Sequence, residues 1–309
     1  MLDVHRLRLL RELSRRGTLA AVAKALSYSP SAVSQQLALL EAEAGVALLE
    51  KVGRGVRLTA QGRLLVDHAD AVLQRLEQAE ADLAASVDEV AGTVRVASFQ
   101  SVLLAVVPVA LDHLRAAHPR LRLEITQAEP EESFAALLAH DVDLVLGEQY
   151  PGMSAAPAPG VAEEDLTYDE MRLALPAEGP WTVPAGWGRT ADLTGLAAAP
   201  WVMDPVAAVP GRWLRDLCRD AGFEPDVRFE TPDLVLHAHL VETGHALAVL
   251  PDLLWTWGRP RVRLVRLPGR PARRLYTGVR RGSVAHPAVL AIREALRVGV
   301  ATAAERRLL

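Results

Sequence analysis

At 309 residues, half of them hydrophobic, the chain can bury more than one core. No run reaches the roughly 18 to 20 apolar residues of a membrane span, and Arg6, Arg8 and Arg11 interrupt the apolar start, so neither signal peptide nor membrane anchor is expected and the cytoplasm is the expected location. The net charge of −4 divides into +5 over residues 1–64 (ten Lys and Arg, five Asp and Glu) and −9 over the rest; a basic head suits phosphate neutralisation, although charged faces are more often simply solvated.

The first predicted element is a helix over 2–16 with apolar residues near 4, 7, 10 and 13, stopped by Gly17. Thr18 caps a second helix to about Leu26, and a turn over 27–29 leads to Ser29 as cap and Pro30 at the first helical position of a third. In SPSAVSQQLALLE the helical period puts Val33, Leu37 and Leu40 in one stripe and Ser31, Ser34, Gln35 and Ala38 opposite. Small side chains let such a backbone enter the roughly 12 Å major groove, where Gln can bond adenine through two hydrogen bonds; a plain solvent-facing helix is the competing reading. Lys51–Leu58, with Gly53 and Gly55 around Arg54, reads as a basic hairpin rather than a P-loop, whose glycine spacing and lysine are absent. Thr59 then opens a helix whose Leu65, Ala69, Val72, Leu76, Ala79 and Leu83 follow a 4-3-4-3-4 spacing. That seam fits either a paired linker or a helix packed on its own chain.

From Thr93 strand and helix alternate: TVRVAS, a helix over 102–118, LRLEIT, a helix over 134–141, VDLVLG, and then a second unit of WVMD, GRWLRDLCRDAG, VRFE, DLVLHAHLVETG and HALAVLP. The alternation predicts parallel α/β sheets in two small lobes. His237 and His239 lie about 200° apart on a helix, which makes a metal site with Glu242 and His245 improbable, and no cofactor is expected. No Gly-x-Ser-x-Gly elbow occurs, and Glu131-Glu132 and Glu163-Glu164 read as polar loops, so an enzyme is not expected. Cys218 stands alone, which excludes an internal disulfide and a cysteine-based metal cluster, and reads as a small buried hydrophobe.

The run AVAKALSYSPSAVSQQLALLEAEAGVALLEKVGRGVRLTAQG resembles the winged helix-turn-helix of LysR-type transcriptional regulators, with Pro30-Ser31, Leu49 and Lys51 departing from the commoner residues. The resemblance implies an α+β multidomain chain: a DNA-binding winged helix-turn-helix over 1–62, a dimerisation helix over 63–91, a two-lobed effector domain like a periplasmic binding protein over 92–300, and a tail over 301–309. Lobe I would comprise 92–162 and 268–300, and lobe II 163–267. It implies base or phosphate contacts from Ser29, Pro30, Ser31, Ser34, Gln35, Gln36 and the wing's Arg54, and pairing through the linker seam into a homodimer or homotetramer. Double-stranded DNA, a small-molecule effector of polar or anionic character and RNA polymerase are the implied partners. Effectors in such sheets sit outside the carboxyl ends of strands, which singles out Ser98, Phe99, Gln100 and Ser101, then Thr126, Gln127, Asp204, Thr231 and Thr243. Ser101 reads equally well as a simple helix cap. A solute receptor with a basic head and an α/β enzyme with a regulatory head are the rival functions.

Overall fold

The computed structural model describes residues 1–53, 55–87, 89–153, 158–182, 187, 190–256 and 261–308, without the side chains of residues 131, 307 and 308. Local caps set the first elements. Helix α1 (Val4–Arg16) begins where the Asp3 carboxylate accepts the Arg6 amide at 3.1 Å and ends at Gly17, whose φ of 76° closes it. Thr18 caps α2 (Leu19–Leu26), Ser29 caps α3 (Pro30–Ala44) by accepting from the Ala32 amide at 3.1 Å, and Gly45 ends α3. Each such cap contributes about 1 kcal/mol. Val33, Leu37 and Leu40 are fully buried against Leu10, Val22 and Leu48, so the apolar stripe of α3 is the floor of the head's core.

Strands β1 (Leu49–Val52) and β2 (Gly55–Leu58) form the antiparallel wing, with Val52 opposite Gly55. The Glu41 carboxylate accepts the amides of Leu48 and Leu49 at 2.8 and 2.9 Å, tying the wing's base to α3. Arg54, the expected tip arginine, lies outside the described residues. Thr59 caps α4 (Ala60–Ala85). Its expected seam needs one correction: Ala69 is fully buried in the head's core and Leu65 packs against it, so these two fix the linker to its own head. Val72, Leu76 and Leu83 stand 42%, 43% and 70% exposed and Ala79 is exposed, so the seam open to a partner runs from residue 72 onward.

The body begins with β3 (Gly92–Ser98), α5 (Gln100–Ala105) and α6 (Val107–Ala117). The single helix expected over 102–118 is thus two, because Pro108 has no amide to donate and the chain breaks at Val106. Next come β4 (Leu121–Gln127), α7 (Pro130–Leu138), β5 (Leu144–Gln149) and β6 (Val161–Pro176). They are followed by β7 (Pro200–Met203), α8 (Val209–Asp220), β8 (Asp226–Glu230), α9 (Leu234–Glu242) and β9 (Ala248–Pro251). After β10 (Val262–Arg266) and β11 (Ala272–Arg280), α10 (Pro287–Leu308) closes the chain.

Strands β3, β4 and β5 are parallel, but β5, β11 and β6 pair antiparallel, so the sheets are mixed rather than purely parallel. The long β6 is shared between lobes: Val161–Glu170 pairs with β11, and Met171–Pro176 with β9 and β10. The crossing between lobes therefore falls near Glu170, not at residue 163. Glu163-Glu164 belongs to this strand, where Glu163 pairs with Arg274 and Glu164 with Arg293 and Arg297, while Glu132 lies in the first turn of α7. Neither acid pair is in a loop. Lobe I packs its sheet on α6 and α10; lobe II is built around Trp201, Leu173 and Leu247. Gly282 brings the body within reach of the linker, since a Cβ there would stand 2.5 Å from the Gln74 carbonyl.

Candidate functional site

The face of α3 opposite the buried stripe is polar and low. Ser31, Ser34, Gln35 and Ala38 are exposed. Ser29 spends its hydroxyl on the Ala32 amide and lies 3.0 Å from the Ser31 hydroxyl, while Pro30 is exposed at the helix start. Gln36 departs from the expected role: it is half-buried, and its Oε1 accepts from Arg6 Nε at 3.0 Å, so it braces α3 on α1. Tyr28, which the sequence reading passed over, stands 47% exposed in the turn before α3, with its ring edge-on to His5 at 5.7 Å. An aromatic in an otherwise serine-rich turn was the available signal.

The second site is the crevice where the lobes meet, and its centre is a residue absent from the expected set. Arg273 on β11 is buried, and its guanidinium donates to Asp169 Oδ2 at 2.8 Å, Glu148 Oε2 at 2.5 Å and the Ser101 hydroxyl at 2.6 Å. It also lies over the Phe99 ring at 5.3 Å. Burial alone would lower the value of Arg273; the carboxylates of Glu148 and Asp169 outweigh it and hold it above its ordinary value. Burial raises Glu148 in turn, against the pull of Arg273. Tyr150 is within 3.4 Å of Glu148, and burial and that carboxylate raise its phenol well above the ordinary value. From lobe II comes Asp204, raised to about 7 by burial and then by Glu148 and Glu129, with Arg273 opposing.

This geometry sorts the expected effector residues. Phe99 and Ser101 are buried against Arg273; Ser98, at the end of β3, is buried too, and its hydroxyl has no hydrogen-bond partner among the described residues. Gln100 is a clasp between lobes: its amide donates to Asp233 Oδ1 at 2.9 Å, and its carbonyl accepts from the Leu234 amide at 2.7 Å. Thr231 is engaged nearby, its carbonyl 2.7 Å from His237 Nε2. Thr126 and Gln127 are exposed beside β3, opposite Ala97 and Ser98. Thr243 is not brought to the crevice; it caps the far end of α9, about 14 Å along the helix from the end that Gln100 holds. The polar or anionic character expected for the effector meets no free cation at Arg273. The one guanidinium at the centre is consumed internally, carboxylates outnumber it, and the six-residue α5 offers little dipole.

Of the histidines weighed as ligands, His237 is buried and hydrogen-bonded to backbone, and no group of three His, Cys, Asp or Glu side chains that could hold a metal occurs among the described residues. Cys218 on α8 is buried, and burial pushes its thiol up to about 12. No helix among the described residues is long and apolar enough to cross a membrane.

Comparison with known proteins joins both sites. The family model "Bacterial regulatory helix-turn-helix protein, lysR family" matches residues 4–63, and "LysR substrate binding domain" matches residues 87–300. The transcriptional dual regulator GltC of Bacillus subtilis is 26% identical over 84% of each chain. A hydrogen peroxide-inducible genes activator of Escherichia coli is 27% identical over 78% of this chain and 76% of its own. Full-length OxyR of Pseudomonas aeruginosa superposes with a TM-score of 0.69 at 19% identity, covering 96% of this chain and 95% of that one.

Proposed function

Since this chain belongs to the LysR family of DNA-binding transcriptional regulators, we propose that two copies, paired through residues 72–83 of α4, present their α3 helices to the two halves of one DNA site in the cytoplasm. The observation that carries this reading is the exposed, low-bulk face of Ser31, Ser34, Gln35 and Ala38 on a helix locked by Val33, Leu37 and Leu40. Base-edge contacts come from Ser31, Ser34 and Gln35, with Arg54 on the wing entering the adjacent minor groove. The small-molecule effector lies between the lobes, against Ser98 and Asp204, and acts by shifting the lobes that Gln100 clasps. RNA polymerase is the partner through which a change in head spacing would reach transcription.

The peroxide response in the relative's name does not extend to this reading. Thiol oxidation needs an accessible thiolate, and Cys218 is buried with its thiol held at about 12. The test is retardation of promoter DNA by purified protein: a dimer contacting two half-sites gives a footprint spanning two major grooves about one helical turn or a multiple apart. A chain that binds no promoter fragment would overturn the proposal.

A further inference from the structure

A second cleft lies outside the crevice between the lobes. It has a volume of about 970 Å³ and opens where α1 of the head, α4 of the linker and lobe I of the body meet. Its head wall has a sequence signature: Val4, Arg8, Arg11 and Arg15 are spaced 4-3-4 along α1, a stripe that a helix normally fills with leucine. Arg15 is used, pairing with Asp70 and donating to the Leu138 carbonyl of the body. Arg8 and Arg11 line the cleft.

Most charges around it are already matched. Glu77 is paired with Arg280 at 2.7 Å, and Asp143 with Arg95 at 2.9 Å and Arg280 at 3.2 Å. That leaves Glu80 as the one lining acid, and Arg8 as the one lining arginine, without an ion pair among the described residues. Arg8 makes no hydrogen bond or ion pair among the described residues. Arg11 is 3% exposed and ion-paired with Glu12 at 3.2 Å and Asp70 at 4.0 Å, while its Nε is buried without a hydrogen-bond partner among the described residues. A buried guanidinium nitrogen left unbonded is costly. His140, in the left-handed conformation at φ 60°, reports the same field: burial and the charges of Arg280, Arg11, Arg8 and Arg15 push it down to about 2, even though Glu77 lies 3.2 Å from its Nδ1.

We infer that this junction is a binding site for a small oxyanion, a phosphate- or carboxylate-bearing metabolite, held by Arg8 and Arg11 between head, linker and body. It is separate from the crevice between the lobes. An anion there would touch all three parts at once and so set the angle of the head on the body, and by reciprocity DNA binding would alter its affinity.

The probe is inorganic pyrophosphate, titrated into the full-length protein at constant ionic strength while thermal unfolding is followed. The wild type should show a saturable rise in Tm below about 10 mM. Arg8→Glu and Arg11→Gln should each weaken the half-saturation concentration about tenfold or more, whereas Arg57→Gln in the wing should leave it unchanged. Arg8 is exposed, so its variant is informative even if Arg11→Gln fails to fold. Absence of a saturable shift in the wild type, an unchanged midpoint in Arg8→Glu, or an equal loss in Arg57→Gln would each overturn the inference.

Discussion

Replacing Arg273 by Met should destabilise the body more than any other single change at the crevice. The substitution removes a cation that donates to Asp169, Glu148 and Ser101 from a site where Asp169 is wholly buried. Breaking a buried ion pair by deleting one partner costs about 3 to 5 kcal/mol, because the carboxylates lose the Arg273 charge in a site removed from water. For a domain of this size, about 2 to 4 °C of Tm accompanies each kcal/mol, so a loss of roughly 6 to 20 °C is expected by scanning calorimetry of the full-length protein. The loss also has a pH signature. Glu148 already sits above the ordinary carboxylate range, and without Arg273 it rises further, so the deficit should be largest near neutral pH and shrink as pH falls and the acid takes up a proton. A deficit below about 1 kcal/mol, or one that does not change between neutral and acidic pH, would refute the assignment of Arg273 as the electrostatic centre of the crevice.

Three further outcomes are expected. Leu76→Glu, on the exposed part of the linker seam, should convert the dimer to monomers in sedimentation velocity; an unchanged dimer would place the pairing elsewhere. Asp204 has a folded value of about 7, raised above its ordinary one, so the stability it contributes is present at low pH and lost as pH rises to about 7. Asp204→Asn should therefore be more stable than wild type at pH 8, with the advantage shrinking as the solution is acidified. His140, depressed to about 2, contributes stability above its ordinary value that is lost progressively as pH falls from about 6.5. His140→Gln should flatten the decline in denaturation midpoint between about pH 6.5 and pH 4.

What was legible in the sequence was what is local. Thr18, Ser29 and Thr59 each cap a helix from the position their side chains suggest, and the buried stripe of α3 follows its period residue by residue. The centre of the crevice was not legible, because Arg273 meets Asp169, Glu148 and Ser101 across 104, 125 and 172 positions of chain. Only the antiparallel register of β6 and β11, which sets Arg273 directly opposite Asp169, explains why a charged residue tolerates that burial. Strand β6 escaped notice for a related reason: shared by two lobes, its acids answer to Arg274, Arg293 and Arg297 on distant elements and so resemble a solvated loop. Gln100 and Gln36 were singled out because they are polar and well placed; in the fold Gln100 also joins the lobes, and the Oε1 of Gln36 also accepts from Arg6.

The most direct test of the account is selection of preferred DNA sequences by the purified wild type and by Gln35→Ala. Gln35 is exposed on a helix whose opposite face is locked in the core, so its loss should leave stability intact and relax preference at one base pair in each half-site by about 1 to 3 kcal/mol. Unchanged preference at every position, with undiminished affinity, would contradict the claim that this face of α3 reads the bases.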